Sequence, residues 1–121
     1  MKILIVDDEA PIGRAMSRLL TSADHETRVR TSPSAITAED YAWADVVLTD
    51  WDMPDGGGAA VIACCGRTPW VVLSGNDVVV DGIRAAGGTA VSKPASLVEI
   101  TAAIVRALRV CGCFGVAAVM S

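Results

Sequence analysis

Short runs of branched apolar residues recur along the chain. Three of them, at Ile3–Val6, Val46–Leu48 and Val71–Leu73, are continuous and are followed by turn chemistry. Continuous runs of this kind are typical of strands that are buried on both faces of a sheet. Two further segments, Thr27–Thr31 and Thr89–Ser92, are partly polar, so we predict edge strands there.

Apolar residues at helical spacing predict five helices between and after these strands. Ser32 and Pro33 are predicted to open the second helix, and Ser96 forms a capping box with Glu99 at the start of the fifth. The other three are predicted at Pro11–Leu20, Ala59–Cys65 and Val78–Ala86. The predicted apolar stripes are Ile12, Ala15, Met16, Leu19 and Leu20 in the first helix, and Leu97, Ile100, Ile104, Ala107 and Leu108 in the fifth.

The alternation of strands and helices predicts an α/β fold with a doubly wound, five-stranded parallel sheet flanked by five helices. If the second and fifth strands are edges, the flavodoxin-like order 2-1-3-4-5 satisfies the pattern, although a permuted interior would fit too. We expect this domain to cover residues 1–109. Residues 110–121 are uncharged, and we expect an apolar tail there and no output domain.

Composition narrows the class of protein. The 121 residues are 52% hydrophobic and 20% charged, with a net charge of −4 and no basic cluster, so we expect a globular domain without a nucleic-acid partner.

The apolar run Met1–Val6 is ended by Asp7–Glu9, too early for a signal peptide. Val110–Met120, the longest uncharged apolar stretch, is too short to span a bilayer. We therefore expect a cytoplasmic protein without a membrane partner.

The four cysteines form two close pairs, Cys64–Cys65 and Cys111–Cys113. Adjacent or near-adjacent cysteines have poor spacing for zinc, for which C-x-x-C would be a stronger signal. A two-plus-two metal site is an alternative, but free thiols in a reducing compartment are the favoured interpretation.

The residues that carry chemistry follow the carboxyl ends of predicted strands. Asp7 and Asp8 follow the first strand, Asp50 the third, Ser74 the fourth and Lys93 the fifth. Ligands of open parallel sheets bind beyond these ends, near the point where the strand order reverses. We therefore expect three carboxylates, a hydroxyl and an ammonium group to converge at one edge of the sheet.

Such a cluster suits phosphoryl chemistry. Neighbouring carboxylates repel one another, and Mg²⁺ relieves the repulsion while leaving room for phosphate oxygens. Asp50 can then attack phosphorus and form an acyl phosphate. Lys93 would neutralise charge on the transferring oxygens, and Ser74 would donate a hydrogen bond to one of them.

Simpler interpretations exist for each residue on its own. The pair Asp7–Asp8 could only cap a helix, and Lys93 could be an ordinary surface charge. The acidic run Asp50–Gly56 also suggests a calcium loop. That loop needs ligands at alternate positions and a glutamate at the twelfth, and Pro54 and Val61 stand at two of those places.

The same positions resemble the response-regulator receiver family over about residues 2–109. The segment Asp50-Trp51-Asp52-Met53-Pro54 is similar to the family's D-x-x-M-P phosphoacceptor motif. The remaining matching segments are ILIVDDE at 3–9, Gly58, Leu73–Gly75 and Lys93–Pro94.

This resemblance implies a role for each matching residue. Asp50 would be the phosphoacceptor, and Ser74 and Lys93 would bind the phosphoryl group. Asp8 and Asp50 would ligate Mg²⁺ directly, together with the backbone carbonyl of Asp52, while Asp7 would act mostly through water. The Lys93–Pro94 bond is expected to be cis.

The function implied is a phosphorylation-dependent switch in a two-component phosphorelay, whose only catalysis is its own phosphorylation and dephosphorylation. Its partners would be a sensor histidine kinase or phosphotransfer protein, a downstream protein target, and a second copy if residues 110–121 form a self-association patch. Those residues are otherwise expected to cover the last helix. Trp51 is expected to border the acidic pocket.

Some positions depart from the family pattern. Ala90 stands where the family usually has its switch aromatic, and Ala95 where it often has Phe. The third and fourth helices are short, and Val78–Val80 is a β-branched run of poor helix propensity. These changes favour an alternative, a receiver-like interaction module that does not signal through phosphorylation.

Overall fold

The computed structural model of this chain describes residues 1–110, without the side chain of Val110. The predicted tail, including Cys111 and Cys113, therefore lies outside the described residues apart from the backbone of Val110. The elements are β1 (Lys2–Val6), α1 (Ala10–Ser22), β2 (Glu26–Arg30), α2 (Ala38–Trp43), β3 (Val46–Asp50), α3 (Gly57–Cys65), β4 (Trp70–Ser74), α4 (Asp77–Ala85), β5 (Ala90–Ser92) and α5 (Leu97–Val110).

The five strands form one parallel sheet in the order β2-β1-β3-β4-β5, which confirms the predicted topology. Alternate residues of the interior strands serve opposite faces, because side chains of a strand alternate in direction. Ile3 and Ile5 belong to the core under α1 and α5. Leu4 and Val6 belong to the core on the other face, under α3 and α4. The sheet is thus covered on both faces, as a doubly wound fold requires.

The apolar stripe predicted for α1 is partly wrong. Gly13 and Leu20 are buried, but Ile12 and Leu19 are 43% and 46% exposed, and Ala15 is exposed as well. A Cβ atom on Gly13 would lie 2.9 Å from Cγ1 of Val29, so the missing side chain brings α1 close to β2. Because of this close approach, α1 buries the face that carries Gly13 and Leu20. Bulkier side chains of the helix, such as Ile12, are exposed instead.

The predicted stripe of α5 is mostly confirmed. Ile100, Ile104 and Ala107 are buried, whereas Leu108 is 37% exposed. The predicted capping box is present: the Ser96 hydroxyl accepts from the Glu99 amide at 3.1 Å, and the Glu99 carboxylate accepts from the Ser96 amide at 3.2 Å.

The start predicted for the second helix is wrong. Ser32 makes no capping hydrogen bond, and Pro33 begins only a short 3₁₀ turn, Pro33–Ala35. The helix begins after Thr37, whose side chain accepts from the Asp40 amide while the Asp40 carboxylate accepts from the Thr37 amide. The reciprocal cap satisfies the backbone amides of Thr37 and Asp40, whereas Ser32 satisfies none with its side chain, and the helix therefore starts five residues later than predicted.

Helices α3 and α4 have nine residues each. Helix α3 begins at Gly57, two residues before the predicted start at Ala59, so it is short but longer than predicted. The β-branched run of α4 is helical nonetheless, because Asn76 caps the helix through the Val78 amide and Val80 is buried in the core. Trp70 begins β4 and is buried. No helix among residues 1–110 combines the length and apolar character needed to cross a membrane.

Candidate functional site

Three carboxylates meet at the carboxyl edge of the central strands. Asp7 and Asp8 follow β1, Asp50 ends the neighbouring strand β3, and one ligand oxygen of each lies within 4.8 Å of the others. Asp7 and Asp50 are buried, and Asp8 is exposed. The predicted convergence of these acids is therefore present in the structure.

Backbone amides orient the two buried carboxylates. The Glu9 amide donates to Asp7 Oδ1 at 2.9 Å, and the Trp51 amide donates to Asp50 Oδ1 at 3.0 Å. Such bonds to an ionised acceptor are stronger than bonds between neutral groups, so they hold each carboxylate in place. Sequence patterns do not reveal these donors, since every residue but proline carries a backbone amide.

Lys93 joins the cluster from β5. Its Nζ lies 2.9 Å from Asp50 Oδ1 and 3.8 Å from Asp7 Oδ2. Its amide donates to the Ser74 carbonyl at 2.9 Å, which fixes the start of the following loop, and the Lys93–Pro94 bond is cis as predicted.

The pKa values of Asp7 and Lys93 reflect this arrangement. Burial raises the pKa of Asp7, and the charges of Asp50 and Asp8 add to the rise, while the Glu9 amide and Lys93 oppose it. Burial lowers the pKa of Lys93, but its hydrogen bond to Asp50 and the carboxylate charges outweigh burial and raise it. Lys93 is therefore charged at neutral pH, and any added positive charge would stabilise the ionised carboxylates.

Ser74 ends β4, one residue beyond Leu73, the register partner of Asp50. It is fully buried, and its Oγ accepts from the Asn76 amide at 3.0 Å. That bond uses a lone pair of the hydroxyl and leaves its proton available. Asp52 differs from the other predicted ligands: its side chain is exposed and is not part of the three-carboxylate cluster.

The turn after Asp50 is closely packed. A Cβ atom on Gly57 would lie 2.4 Å from the Trp51 carbonyl oxygen, and one on Gly58 would lie 2.9 Å from the Asp50 carbonyl oxygen. Gly57 also has a φ of 60°, which favours glycine. The glycine run therefore lets α3 start directly beneath Trp51, which packs against the core on that side. Of these glycines, the sequence analysis singled out Gly58 alone.

Comparison with known proteins agrees with the fold. The sequence model of the response regulator receiver domain family matches residues 3–105. The sensory transduction protein RegX3 of Mycobacterium tuberculosis (strain H37Rv) is 31% identical over 114 residues, which cover 88% of this chain and 50% of RegX3. The phosphate regulon transcriptional regulatory protein PhoB of Escherichia coli K12 is 28% identical over 118 residues, which cover 89% of this chain and 52% of PhoB. The chain spans about half the length of these curated relatives.

Solved structures with a similar fold are also receiver domains. A receiver domain from Clostridium thermocellum has a TM-score of 0.77 and 26% identity, covering 89% of this chain and 94% of its own. A receiver protein from Burkholderia phymatum has a TM-score of 0.74 and 27% identity, with coverage of 89% and 94%. The chain belongs to the response regulator receiver domain family, whose standard function is a phosphorylation-dependent switch in two-component signalling. The alternative of a module that does not signal through phosphorylation is not favoured.

Proposed function

We propose that this chain works in a cytoplasmic phosphorelay in which Asp50 accepts a phosphoryl group from a sensor histidine kinase or phosphotransfer protein. The observation that carries the proposal is the 2.9 Å contact of Lys93 Nζ with Asp50 Oδ1, at the side of a cluster of three carboxylates. A lysine so placed neutralises an acid that also has to approach an anionic phosphate.

The two oxygens of Asp50 have different roles in this proposal. The contacts with the Trp51 amide and with Lys93 Nζ both fall on Oδ1. Within the described residues, Oδ2 has no such contact, so we assign it as the nucleophile. The Oδ2–P bond forms as the bond from phosphorus to the donor's leaving atom breaks, and the leaving group takes that electron pair.

Lys93 and Ser74 would hold the transferred group. The Lys93 ammonium can exchange part of its contact with Asp50 for a phosphoryl oxygen without leaving the cluster, because it already lies between Asp50 and Asp7. The Ser74 hydroxyl can donate its proton to a second phosphoryl oxygen. The Lys93 ammonium is in place before the reaction, which is how such a donor stabilises developing charge, whereas the Ser74 hydroxyl would turn toward the phosphoryl group.

The acids fit Mg²⁺. Their oxygens are the ligands that this hard cation prefers. Burial raises the pKa of Asp7, the charges of Asp50 and Asp8 add to the rise, and a bound cation would offset both effects. Asp8 and Asp50 would bind the ion directly with the backbone carbonyl of Asp52, and Asp7 would bind through water. When bound, the ion neutralises charge on the phosphoryl oxygens.

The proposal confines catalysis to the chain's own phosphorylation and dephosphorylation. The product is an acyl phosphate on Asp50, and a downstream protein target would read its presence. The kinase and the target would both bind transiently, because the donor must reach the Asp50 carboxylate and then leave the acyl phosphate exposed to the target.

Intact-mass measurement after incubation with acetyl phosphate and Mg²⁺ tests the assignment. The wild-type chain should gain one phosphoryl group, and Asp50→Asn should gain none while keeping its fold. Asp52→Asn is the matched control, since it neutralises a neighbouring acid outside the cluster and leaves the backbone carbonyl in place. Equal labelling of Asp50→Asn and wild type, or loss of labelling in Asp52→Asn alone, would contradict the proposal.

A further inference from the structure

A buried hydroxyl group lies directly before Asp50 in the middle of the sheet. It belongs to Thr49 of β3, which is fully buried and has Val6 of β1 and Val72 of β4 as register partners. Both valines belong to the core under α3 and α4. A valine at position 49 would fill nearly the same volume without burying a hydroxyl group, which is costly unless that group makes a hydrogen bond. The partner of the Thr49 hydroxyl therefore indicates its role.

The Thr49 hydroxyl bonds to the peptide group that follows Asp50. Its Oγ1 donates to the Asp50 carbonyl oxygen at 2.9 Å. This carbonyl and the Trp51 amide belong to one planar peptide unit, so a bond that orients the carbonyl also orients the amide. The hydroxyl therefore influences the direction in which the Trp51 N–H points.

The Trp51 amide is shared between two acceptors. It donates to the Leu73 carbonyl of β4 at 3.0 Å and to Asp50 Oδ1 at 3.0 Å. The first bond continues the hydrogen bonding between the two strands, and the second holds one oxygen of the carboxylate. Because hydrogen bonds weaken as they depart from linearity, rotation of the peptide plane toward one acceptor weakens the bond to the other. The rotation of this plane therefore determines how firmly Oδ1 is held.

We propose that Thr49 is a positioning residue for phosphorylation, whose hydroxyl keeps the Asp50–Trp51 peptide plane in the rotation at which the amide retains Oδ1. The carboxylate then presents Oδ2 to the phosphodonor. This inference rests on the proposed function, in which Asp50 accepts the phosphoryl group. Thr49 is enclosed in the core and acts only through the orientation of Asp50. Orientation matters because misplacing a reacting group by about 1 Å can slow a reaction by about 10²-fold.

Two substitutions separate the hydroxyl group from the volume of the side chain. Thr49→Val keeps the branched shape and removes the hydroxyl, whereas Thr49→Ser keeps the hydroxyl and removes a methyl group from the core. With acetyl phosphate and Mg²⁺, followed by intact mass over time, we expect labelling about fivefold slower in Thr49→Val, the scale of one buried hydrogen bond, and within about twofold of wild type in Thr49→Ser. Thr89→Val is the matched control, because Thr89 is also buried but lies just before β5, and it should react at the wild-type rate.

A side chain that only filled the core would give the opposite order, because Thr49→Ser leaves a cavity and Thr49→Val does not. A wild-type rate in Thr49→Val, or a rate in Thr49→Ser as low as that of Thr49→Val, would overturn the inference. Labelling of Asp50→Asn at the wild-type rate would instead overturn the proposed function, and this inference with it.

Amide NMR spectra give a second readout that needs no phosphodonor. The Trp51 amide proton senses the charge of the carboxylate that it contacts, so Asp50→Asn should move its resonance upfield. We expect Thr49→Val to move it in the same direction, and Thr49→Ser and Thr89→Val to leave it close to its wild-type position. An unmoved Trp51 resonance in Thr49→Val would show that the hydroxyl does not orient this amide.

Discussion

The contact between Lys93 and Asp50 balances charge across the acidic site. Three carboxylates face one ammonium group, and the Lys93 side chain is 31% exposed, so solvent screens part of the attraction. The same ammonium also lies within 3.8 Å of Asp7. We therefore expect Lys93 to matter more for the approach of a phosphoryl group than for the stability of the fold, because partly exposed ion pairs contribute little to stability.

Replacing this lysine separates the two effects. Lys93→Met keeps the length of the side chain but removes its charge, and we expect phosphorylation by acetyl phosphate to slow by about 10²-fold, the scale for loss of one charge-stabilising donor. The chain's other lysine offers a control, since Lys2 is exposed at the start of β1 and Lys2→Met should react at the wild-type rate. A slow rate in both variants would mean that net charge, and not the position of Lys93, governs the reaction.

At the scale of single residues, sequence reasoning located the site because its side chains follow strand ends. Asp7, Asp8 and Asp50 were predicted to meet on this ground, and they do. The groups that orient them are backbone amides, such as those of Glu9 and Trp51, whose direction depends on loop conformation. No residue type marks that conformation, so these contacts required the structure.

At the scale of elements, α2 is held to the edge strand β2 by one buried acid. Asp40 accepts hydrogen bonds from Arg30 Nε and Nη2 and from Arg28 Nη1, at 2.9 to 3.0 Å. Arg28 also stacks on the Trp43 ring, with 4.3 Å from its Cζ to the ring centroid. Alternation along β2 puts Arg28 and Arg30 on one face, but the sequence does not reveal that the partner is Asp40.

Acid should weaken this attachment. Burial alone would raise the pKa of Asp40, but the Thr37 amide and the two guanidinium groups outweigh burial and lower it from 3.8 to about 2. Because folding stabilises the ionised form, its contribution is complete well above pH 3.8 and is lost as the pH falls toward 2. Asp40→Asn should therefore lower the free energy of unfolding at pH 7 by about 1–3 kcal/mol and flatten its dependence on pH in that range.

Urea titrations between pH 2 and 7 would measure both effects. Glu39→Gln is the matched control, since Glu39 is an exposed neighbour in α2 that contacts Arg28 at 3.4 Å. We expect it to change stability by less than about 0.5 kcal/mol. An acid transition of unchanged depth in Asp40→Asn would assign the pH dependence to other carboxylates.

Helix α4 contains a glycine, Gly82, that is not required for close packing. A Cβ atom on Gly82 would have open space around it, so Gly82→Ala should raise the free energy of unfolding by about 0.5–1 kcal/mol through helix propensity alone. Gly58→Ala is the opposite case, because its Cβ would lie 2.9 Å from the Asp50 carbonyl oxygen, and it should destabilise the chain. Denaturant midpoints would show the two changes in opposite directions. A destabilising Gly82→Ala would imply that α4 gains from flexibility at this position.

At the scale of the whole molecule, the sheet separates two hydrophobic cores, one on each of its faces. The site lies where β1 and β3 end, and α4 is connected to it through the turn after β4. The pattern of buried runs predicted that β1, β3 and β4 are interior, but it left their order open, because a permuted interior would fit the same pattern; the structure shows the order β2-β1-β3-β4-β5. The rotation of α1 could not be predicted in the same way, since it depends on the close approach at Gly13, which an apolar stripe does not show.

The turn after β4 gives the site a direct connection to α4. Ser74 Oγ accepts from the Asn76 amide, and Asn76 Oδ1 in turn caps α4 through the Val78 amide at 2.9 Å. If the Ser74 hydroxyl turns toward a phosphoryl group, its contact with Asn76 is lost and the cap of α4 loosens. On β5, Ala90 has only a methyl group, so no bulky side chain there can respond to the movement of Ser74.

Hydrogen exchange with and without beryllofluoride, a mimic of the phosphoryl group, should reveal this route. We expect modest changes in residues 74–86, where the Ser74–Asn76 contact is exchanged for one with the mimic, and little change in residues 89–91. A ligand shifts an equilibrium only through contacts that differ between the two states, and Ser74 provides that difference here. Ser74→Ala should therefore bind the mimic yet lose the response in α4. Large changes centred on residues 89–91, with α4 unchanged, would instead show that β5 transmits the signal through another residue.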